Sequence, residues 1–182
     1  MNVTPDLDAR FRAAALGEGI VDVRFDLVDS PVGPLYVAAT ERGVCRISFS
    51  PEHGEASVVH DFGTRILRAP LDEVRRELDE YFDGRRQAFD LALDLRVAPF
   101  YADVLRELAT VPYGSTTTYG TLARQAGRPS AARAVGTVMN RNPVPIVLPC
   151  HRVVGANGAL TGYAGGLEVK RRLLQLEGAS LL

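Results

Sequence analysis

The chain lacks several features that would assign it quickly to a protein class. Its 182 residues include no tryptophan, only two cysteines and only three histidines. Two cysteines are too few for a disulfide framework, which favours a reducing compartment. No uninterrupted apolar run reaches the roughly 18 residues that a membrane-spanning helix needs. No glycine-rich phosphate-binding loop is present. We therefore predict one or two small folded domains without a membrane span.

The few histidines and cysteines also argue against a metal centre. Cys45, His53 and His60 are the only ligand types that lie near one another, and a structural zinc site requires four ligands. Both histidines lie in a polar stretch that we expect to be solvated. Cys45 shares a predicted strand face with Ile47 and Phe49, which indicates a core thiol. The sequence predicts neither a metal nor another cofactor.

The two halves of the chain differ in charge. Residues 1–100 carry 12 Lys and Arg against 18 Asp and Glu, or −6, whereas residues 101–182 carry 9 against 4, or +5. Such asymmetry suggests that the second half meets an anionic partner. Ordinary surface variation would produce a similar difference, so charge alone does not decide.

The first half reads as strands followed by a helix. Residues 21–27, 35–39 and 44–49 show strand periodicity with turns between them, which predicts an antiparallel meander. A helix is expected to begin at Pro70 and end at Gly84. Residues 87–95 alternate in polarity and indicate either another strand or an extended linker.

The second half is mainly helical. Residues 100–108 suggest one helix, and Thr118 is a plausible N-cap for a second over residues 119–125. After a turn at Gly127, residues 130–140 indicate a third. Helix, glycine-containing turn, helix is the outline of a helix-turn-helix, although many helical hairpins share it.

The last of these helices has little bulk. Val135, Val138 and Met139 form an apolar stripe, and Arg133 points about 200° away from Val135. The small residues between them would let the helix approach another surface closely, including a DNA groove. A small-residue helix packed on its neighbour, with Arg133 in solvent, would show the same pattern.

The most informative run is Pro149-Cys150-His151-Arg152-Val153. Only a thiolate is a strong nucleophile, and neighbouring positive or hydrogen-bonding groups lower a cysteine pKa. A buried thiol beside a capping histidine is the alternative reading of the pentapeptide. The run nevertheless resembles the active-site motif of the O6-alkylguanine-DNA alkyltransferases. Further blocks resemble that family at residues 29–35, 112–114, 118–119, 131–136, 142–143, 162–163, 165–167 and 170–178.

The resemblance implies a two-domain α+β protein within the broad α/β class. A small amino-terminal domain over residues 1–96, ribonuclease-H-like, would combine an antiparallel sheet with helices. A mainly helical domain over residues 97–182 would contain a winged helix-turn-helix and the reactive cysteine.

The resemblance also implies an activity. An alkyl group would pass directly, irreversibly and once per protein molecule from guanine O6 in DNA to Cys150. O4-alkylthymine would be a further substrate. His151 would act through a water as the base for Cys150, and Glu177 would hold His151. Asn142 would link the recognition helix to the active-site segment.

Glu177 is supported by its position as well. It follows Leu173 by four residues and Leu174 by three, so it shares their inward face. It also lies at a helix carboxyl end, where the helix dipole disfavours an anion. Either the carboxylate has a buried partner or the helix end is frayed at the surface.

The family resemblance assigns the DNA contacts. The damaged base must leave the base stack of the duplex. Arg133 would enter the stack and fill the space that the base leaves. Tyr119 would rotate the phosphate of the damaged nucleotide and contact guanine N3. Met139 would form an apolar wall. Minor-groove docking would make binding largely independent of sequence.

Main-chain groups and a lid would complete the base pocket. The carbonyls of Cys150 and Val153 would accept from the exocyclic amine, and the amide of Ala164 would meet O6. Tyr163 and the glycines after Ala164 would shape the lid. Ala164 stands where relatives often carry a hydroxyl, but its amide remains available.

Three other functions remain open. Non-enzymatic relatives bind alkylated DNA but lack the cysteine that is present here. Regulatory relatives with a helix-turn-helix carry an additional zinc-binding domain that this chain lacks. A thiol hydrolase would need Cys150 and His151 to face each other, although the side chains of sequence neighbours diverge.

The resemblance also gives a partner and a location. The partner would be double-stranded DNA containing O6-alkylguanine, bound by a monomer. Cooperative binding along the DNA is left open, and no membrane partner is expected. Residues 1–12 are polar and acidic, unlike a secretory signal. We expect the protein in the cytoplasm, associated with the nucleoid when it is bound to DNA.

Overall fold

A four-stranded sheet forms the centre of the first half. In the computed structural model, β1 (Val23–Val28), β2 (Leu35–Thr40) and β3 (Gly43–Ser48) pair as the predicted antiparallel meander. A short β4 (Ile66–Arg68) adds parallel to β1, giving the order β3-β2-β1-β4. The expectation of a purely antiparallel sheet is therefore wrong at this edge. A three-residue strand is too short to show an alternating pattern.

Residues 10, 12–15 and 17–179 are described by the structure. Most of the polar segment 1–12, from which the absence of a secretory signal is predicted, lies outside the described residues.

Two helices pack with this sheet. They are α1 (Ala56–Phe62), which the sequence pattern did not reveal, and α2 (Asp72–Phe82). Helix α2 begins at Asp72, two residues later than the predicted start at Pro70, and Leu71 occupies its N-cap. Gly84 follows its carboxyl end with a φ of 72°, a left-handed conformation that favours glycine.

The segment that joins the two halves is an extended linker. Among the residues thought to form either a strand or a linker, Leu93 makes an isolated bridge with Val44. The segment belongs to none of the strands of the sheet.

The second half is built on helices, as predicted. They are α3 (Pro99–Ala109), α4 (Tyr119–Gln125), α5 (Ala132–Asn140) and α6 (Gly166–Leu176). Thr118 caps α4 by accepting from the Thr121 amide at 3.1 Å, which confirms the predicted N-cap. Helices α4 and α5 form the helix-turn-helix outline.

A two-residue parallel pairing lies beside these helices. It joins β5 (Thr117–Thr118) to β6 (Val153–Val154), so the end of the run from Pro149 to Val153 is tied to the start of α4. No helix among the described residues is long and apolar enough to cross a membrane.

One hydrophobic cluster runs through both halves. It contains Leu35 and Leu78 from the first half together with Leu108 and Leu173 from the second. The backbone amide of Ile47 in β3 also donates to the Pro143 carbonyl at 2.8 Å. The sheet therefore packs directly against the loop that leads to Cys150.

Candidate active site

A constrained loop positions Cys150. Ile146 within it has a φ of 76°, a left-handed conformation that β-branched residues rarely adopt. The side chain of Asn142 braces the loop from inside: its Nδ2 donates to the Leu148 carbonyl at 2.8 Å and its Oδ1 accepts from the Val144 amide at 3.1 Å. Asn142 thus connects the end of α5 to the residues just before Cys150.

A short 3-10 turn carries the reactive segment inward. It spans Cys150–Arg152, and all three of its side chains are buried. Burial of a thiol, an imidazole and a guanidinium in succession is unusual, because each polar group requires a partner when it leaves water.

Glu177 supplies that partner at the carboxyl end of α6. Its Oε1 lies 2.8 Å from His151 Nε2 and 2.9 Å from Arg152 Nη2, and its Oε2 lies 2.9 Å from Arg152 Nε. The Gly114 amide donates to Oε2 at 3.3 Å, and the Tyr81 hydroxyl donates to Oε1 at 2.7 Å. The alternative of a frayed surface glutamate is wrong, since this side chain is fully buried.

These contacts keep the carboxylate charged and the imidazole neutral. Burial alone would raise the pKa of Glu177, but hydrogen bonds from His151 and Arg152 outweigh it and lower that pKa to about 2. Burial lowers the pKa of His151, although Glu177 acts in the opposite direction. A neutral ring that donates through Nε2 leaves Nδ1 as an acceptor, and Nδ1 has no protein partner among the described residues.

Cys150 is a protonated thiol in this environment. Burial raises its pKa to about 11, although the Asn142 side chain and the charge of Lys170 lower it. The neighbouring basic groups of the motif therefore do not activate the resting thiol, because desolvation dominates. A base must remove the proton during the reaction.

Lys170 is the second buried cation at this site. Its Nζ donates to the Val153 carbonyl at 2.6 Å and to the Thr161 carbonyl at 3.1 Å. Burial lowers the pKa of Lys170 to about 8. The Val153 carbonyl, expected to meet a base amine, thus already has one donor, and its second lone pair remains for another.

Tyr163, one of the expected lid residues, lies beside His151. The ring of Tyr163 is 6.4 Å from that of His151 in an edge-to-face arrangement and 5.5 Å from that of Phe49. Phe49 follows β3, so the first half of the chain supports the lid. Ala164 is exposed at its surface.

The residues expected to handle DNA lie on the helix-turn-helix. Arg133 is exposed on α5, whereas Met139 is buried with the apolar stripe. Tyr119 lies at the start of α4, and its hydroxyl is 2.6 Å from Thr161 Oγ1. The structure therefore brings Cys150, His151 and Glu177 into one buried cluster and leaves Arg133 on the outer face.

Sequence models of known families match both halves. Residues 99–179 match the DNA binding domain of 6-O-methylguanine DNA methyltransferase, and residues 23–95 match its ribonuclease-like domain. The chain belongs to the 6-O-methylguanine DNA methyltransferase family.

Individual family members are similar over most of their length. The methylated-DNA–protein-cysteine methyltransferase of Methanosarcina barkeri is 40% identical over 155 residues, covering 84% of this chain and 96% of that protein. The Mycobacterium tuberculosis protein of the same name is 42% identical over 158 residues, covering 85% and 92%.

Solved methyltransferase structures share the fold. The O6-methylguanine methyltransferase of M. tuberculosis superposes with a TM-score of 0.77 at 41% identity, covering 86% of this chain and 93% of that one. A structure of the M. tuberculosis protein in complex with DNA gives a TM-score of 0.76 at 40% identity, covering 85% and 92%.

Sequence reasoning missed three residues of this methyltransferase site. Arg152 was considered only as part of the run from Pro149 to Val153. Lys170 was considered only as the first residue of the block 170–178 that resembles the family. Tyr81 was not noticed at all. It follows Leu78 by three residues on the buried face of α2, and a tyrosine on a core face usually needs a hydrogen-bond partner. That pattern was the available signal.

The described residues contain no group of three or more His, Cys, Asp or Glu that could hold a metal ion. His53 and His60 are exposed, and Cys45 is buried in the core.

Proposed function

We propose that this protein repairs O6-alkylguanine in DNA by transferring the alkyl group to Cys150 Sγ, once per protein molecule. The observation that carries the proposal is the buried Cys150 thiol next to a His151 that is held at 2.8 Å by the charged Glu177. This is the logic of a nucleophile activated by a base that a third group orients. Membership of the methyltransferase family supplies the reaction class.

Proton removal is the first requirement of the reaction. Because the pKa of Cys150 is about 11, the thiol reacts only if its proton leaves as the new bond forms. We assign the base to His151 Nδ1, acting through one water molecule. The imidazolium that forms is stabilised by Glu177, whose charge the two Arg152 nitrogens hold in place.

The transfer itself is a single displacement. Sγ forms a bond to the alkyl carbon while the bond from that carbon to guanine O6 breaks. The thiol proton passes through the water to His151, and Tyr119 would donate a proton to the departing guanine at N3. Transfer of a proton from His151 through solvent to Tyr119 would then restore both side chains. The product is a thioether, whose C–S bond is stable in water, so we expect each molecule to act once.

Recognition of the base would combine main-chain groups with an apolar wall. The carbonyls of Cys150 and Val153 would accept from the exocyclic amine, and the Ala164 amide would donate to O6. Met139 would contact the ring, and Tyr163 would close over it. O4-alkylthymine has no exocyclic amine, but the Ala164 amide and the Met139 wall would also suit it as a second substrate.

The exposed face of α5 would meet DNA in the minor groove. A base inside a duplex cannot reach a buried thiol, so it must be flipped out. Arg133, exposed opposite the buried stripe of its helix, is suited to fill the gap. We propose that a monomer binds, with cooperativity along the duplex.

Two broader expectations stay with this proposal. We assign residues 1–96 to a supporting domain and residues 97–182 to the DNA-binding, alkyl-accepting domain. Since the substrate is chromosomal and both cysteines are free thiols, we place the activity in the cytoplasm.

Intact-mass measurement after incubation with duplex O6-methylguanine DNA tests the proposal. We expect one added methyl group, located in the peptide that contains Cys150, and one lesion repaired per protein molecule. Cys150→Ser should abolish transfer, and Cys45→Ser is the matched control that should retain it. Methylation of Cys45, or repair of more than one equivalent, would overturn the assignment.

A further inference from the structure

We infer that Tyr81, from the first half of the chain, is a positioning residue for the reaction at Cys150: its hydroxyl fixes the Glu177 oxygen that holds His151. The inference rests on the proposed function and deepens it. It gives the first half of the chain a direct part in the chemistry.

The hydrogen bond is buried and spans the two halves. Tyr81 and Glu177 are 96 residues apart, yet the hydroxyl lies 2.7 Å from Oε1. The Tyr81 side chain has no exposed surface. Its ring is held by Phe82 and Phe89, each with its centroid 5.3 Å away, and by Tyr113 at 6.2 Å.

The direction of the hydrogen bond is fixed. Burial and the nearby charge of Glu177 raise the pKa of Tyr81 far above its ordinary value, so the phenol keeps its proton. An ionised carboxylate can only accept. Tyr81 is therefore a donor to Glu177 at every pH at which the protein works.

Tyr81 and His151 share one oxygen atom. Oε1 receives the Tyr81 hydroxyl at 2.7 Å and His151 Nε2 at 2.8 Å. A donor on that oxygen draws negative charge away from the imidazole and limits how far Glu177 raises the pKa of His151.

Other charged and titratable groups face this pair, and all of them would be unchanged by the loss of one phenolic oxygen. They are Arg152 and Tyr163 from the active-site segment and lid, Lys170 from α6, and Tyr113 from the turn after α3.

The test compares Tyr81→Phe with Tyr36→Phe. Tyr36 is a matched control because its hydroxyl is also buried in the first half but has no hydrogen-bond partner among the described residues. Both changes remove one buried oxygen and keep the ring. Single-turnover repair of duplex O6-methylguanine is measured from acidic to neutral pH for both variants and the wild type.

Without the Tyr81 donor, His151 should become protonated at a higher pH. We expect the acid limb of the rate profile to move upward by about half to one pH unit, the equivalent of one ordinary hydrogen bond. Repair at a pH on that limb should slow by about 3- to 10-fold. Tyr36→Phe should keep the wild-type profile.

An NMR titration of the imidazole gives a second readout. The chain has only three histidines, and the other two, His53 and His60, are exposed, so the signal of His151 is readily separated. Its pKa should rise in Tyr81→Phe and not in Tyr36→Phe.

The double variant Tyr81→Phe with Glu177→Gln shows whether Tyr81 acts through Glu177. Glu177→Gln alone should slow transfer by about 10²–10⁴-fold, as expected for a base that has lost its orienting group. Adding Tyr81→Phe should then have little further effect.

Identical pH profiles and His151 titrations in the two tyrosine variants would overturn the inference while leaving the proposed function intact. A uniform loss of rate in Tyr81→Phe with no shift on the pH axis would also overturn it, since that result marks a purely structural role. Absence of methyl transfer in the wild type would instead overturn the proposed function.

Discussion

Two features of the position of Glu177 disfavour its negative charge. It is a carboxylate without solvent exposure, at the end of α6 where the helix dipole disfavours negative charge. An unpaired charge in such a place would be neutralised by a shift of its pKa. The bidentate Arg152 prevents that shift, and the charge-assisted hydrogen bonds keep the carboxylate ionised.

This arrangement predicts how stability depends on acid. The pKa of Glu177 is lowered from 4.5 to about 2 in the folded protein. A lowered carboxyl pKa contributes stability that is present above the unfolded value and lost as the pH falls through the folded value. The free energy of unfolding of the wild type relative to Glu177→Gln should therefore fall by about 3 kcal/mol between pH 5 and 2.

Urea unfolding of both proteins at several pH values measures that difference. Other carboxylates titrate in both proteins and cancel in the comparison. A difference that stays constant over this pH range would show that Glu177 is not held as an anion in the folded protein.

The residues of the site differ in how visible they are in the sequence. Cys150 and His151 stand in one motif, and helical spacing placed Glu177 on an inward face. Tyr81 could not be paired with Glu177, because no local pattern relates residues that far apart. The raised pKa of Cys150 depends on burial, which the motif does not report.

Among the elements, α5 shows how a short helix can serve two environments. Val135, Val138 and Met139 are buried on one side, and Arg133 is exposed on the other. Gly136 lies against Tyr119, where an added Cβ would be 3.9 Å from the ring, an ordinary contact distance. The helix therefore packs closely on α4 and leaves its outer face for a partner.

This geometry predicts that Arg133→Ala slows repair most for the substrates whose damaged base requires the most free energy to flip out. Flipping costs a few kcal/mol in a paired duplex and less where the base is unpaired. Repair of duplex O6-methylguanine should slow strongly, repair in single-stranded DNA less, and reaction with the free base almost not at all. Single-turnover rates on the three substrates give the comparison.

Arg124→Ala is the control for this prediction, since Arg124 is also exposed but lies on the preceding helix α4. It should leave the ratio between the three substrates unchanged. Equal losses on all three substrates in Arg133→Ala would mean that Arg133 is structural.

The long periodic elements were predictable, and the short ones were not. The three strands of the meander and the helices of the second half follow from alternating or helical patterns. Helix α1 has seven residues and β4 has three, so neither carries enough periods to stand out. The parallel pairing of β4 with β1 is a tertiary contact that no local pattern encodes.

On the scale of the whole molecule, two family domains share one interior. Leu35 and Leu78 belong to the same hydrophobic cluster as Leu108 and Leu173. Across the same boundary run the Ile47 to Pro143 hydrogen bond and the contact of Tyr81 with Glu177. Opening the boundary would expose apolar surface and leave a buried carboxylate without one of its donors.

The shared interior predicts that the protein unfolds in one cooperative transition. If each half had its own core, a weak interface would let the halves unfold separately. Because the core is continuous, unfolding of one half exposes the apolar side chains of the other half to water. The calorimetric and van't Hoff enthalpies should agree. Native-state hydrogen exchange should give β2 and α6 the same free energy of opening, because both reach the cluster from opposite halves. Two calorimetric transitions, or β2 exchanging at a much lower free energy than α6, would show that the amino-terminal sheet can leave the active site while the rest of the molecule stays folded.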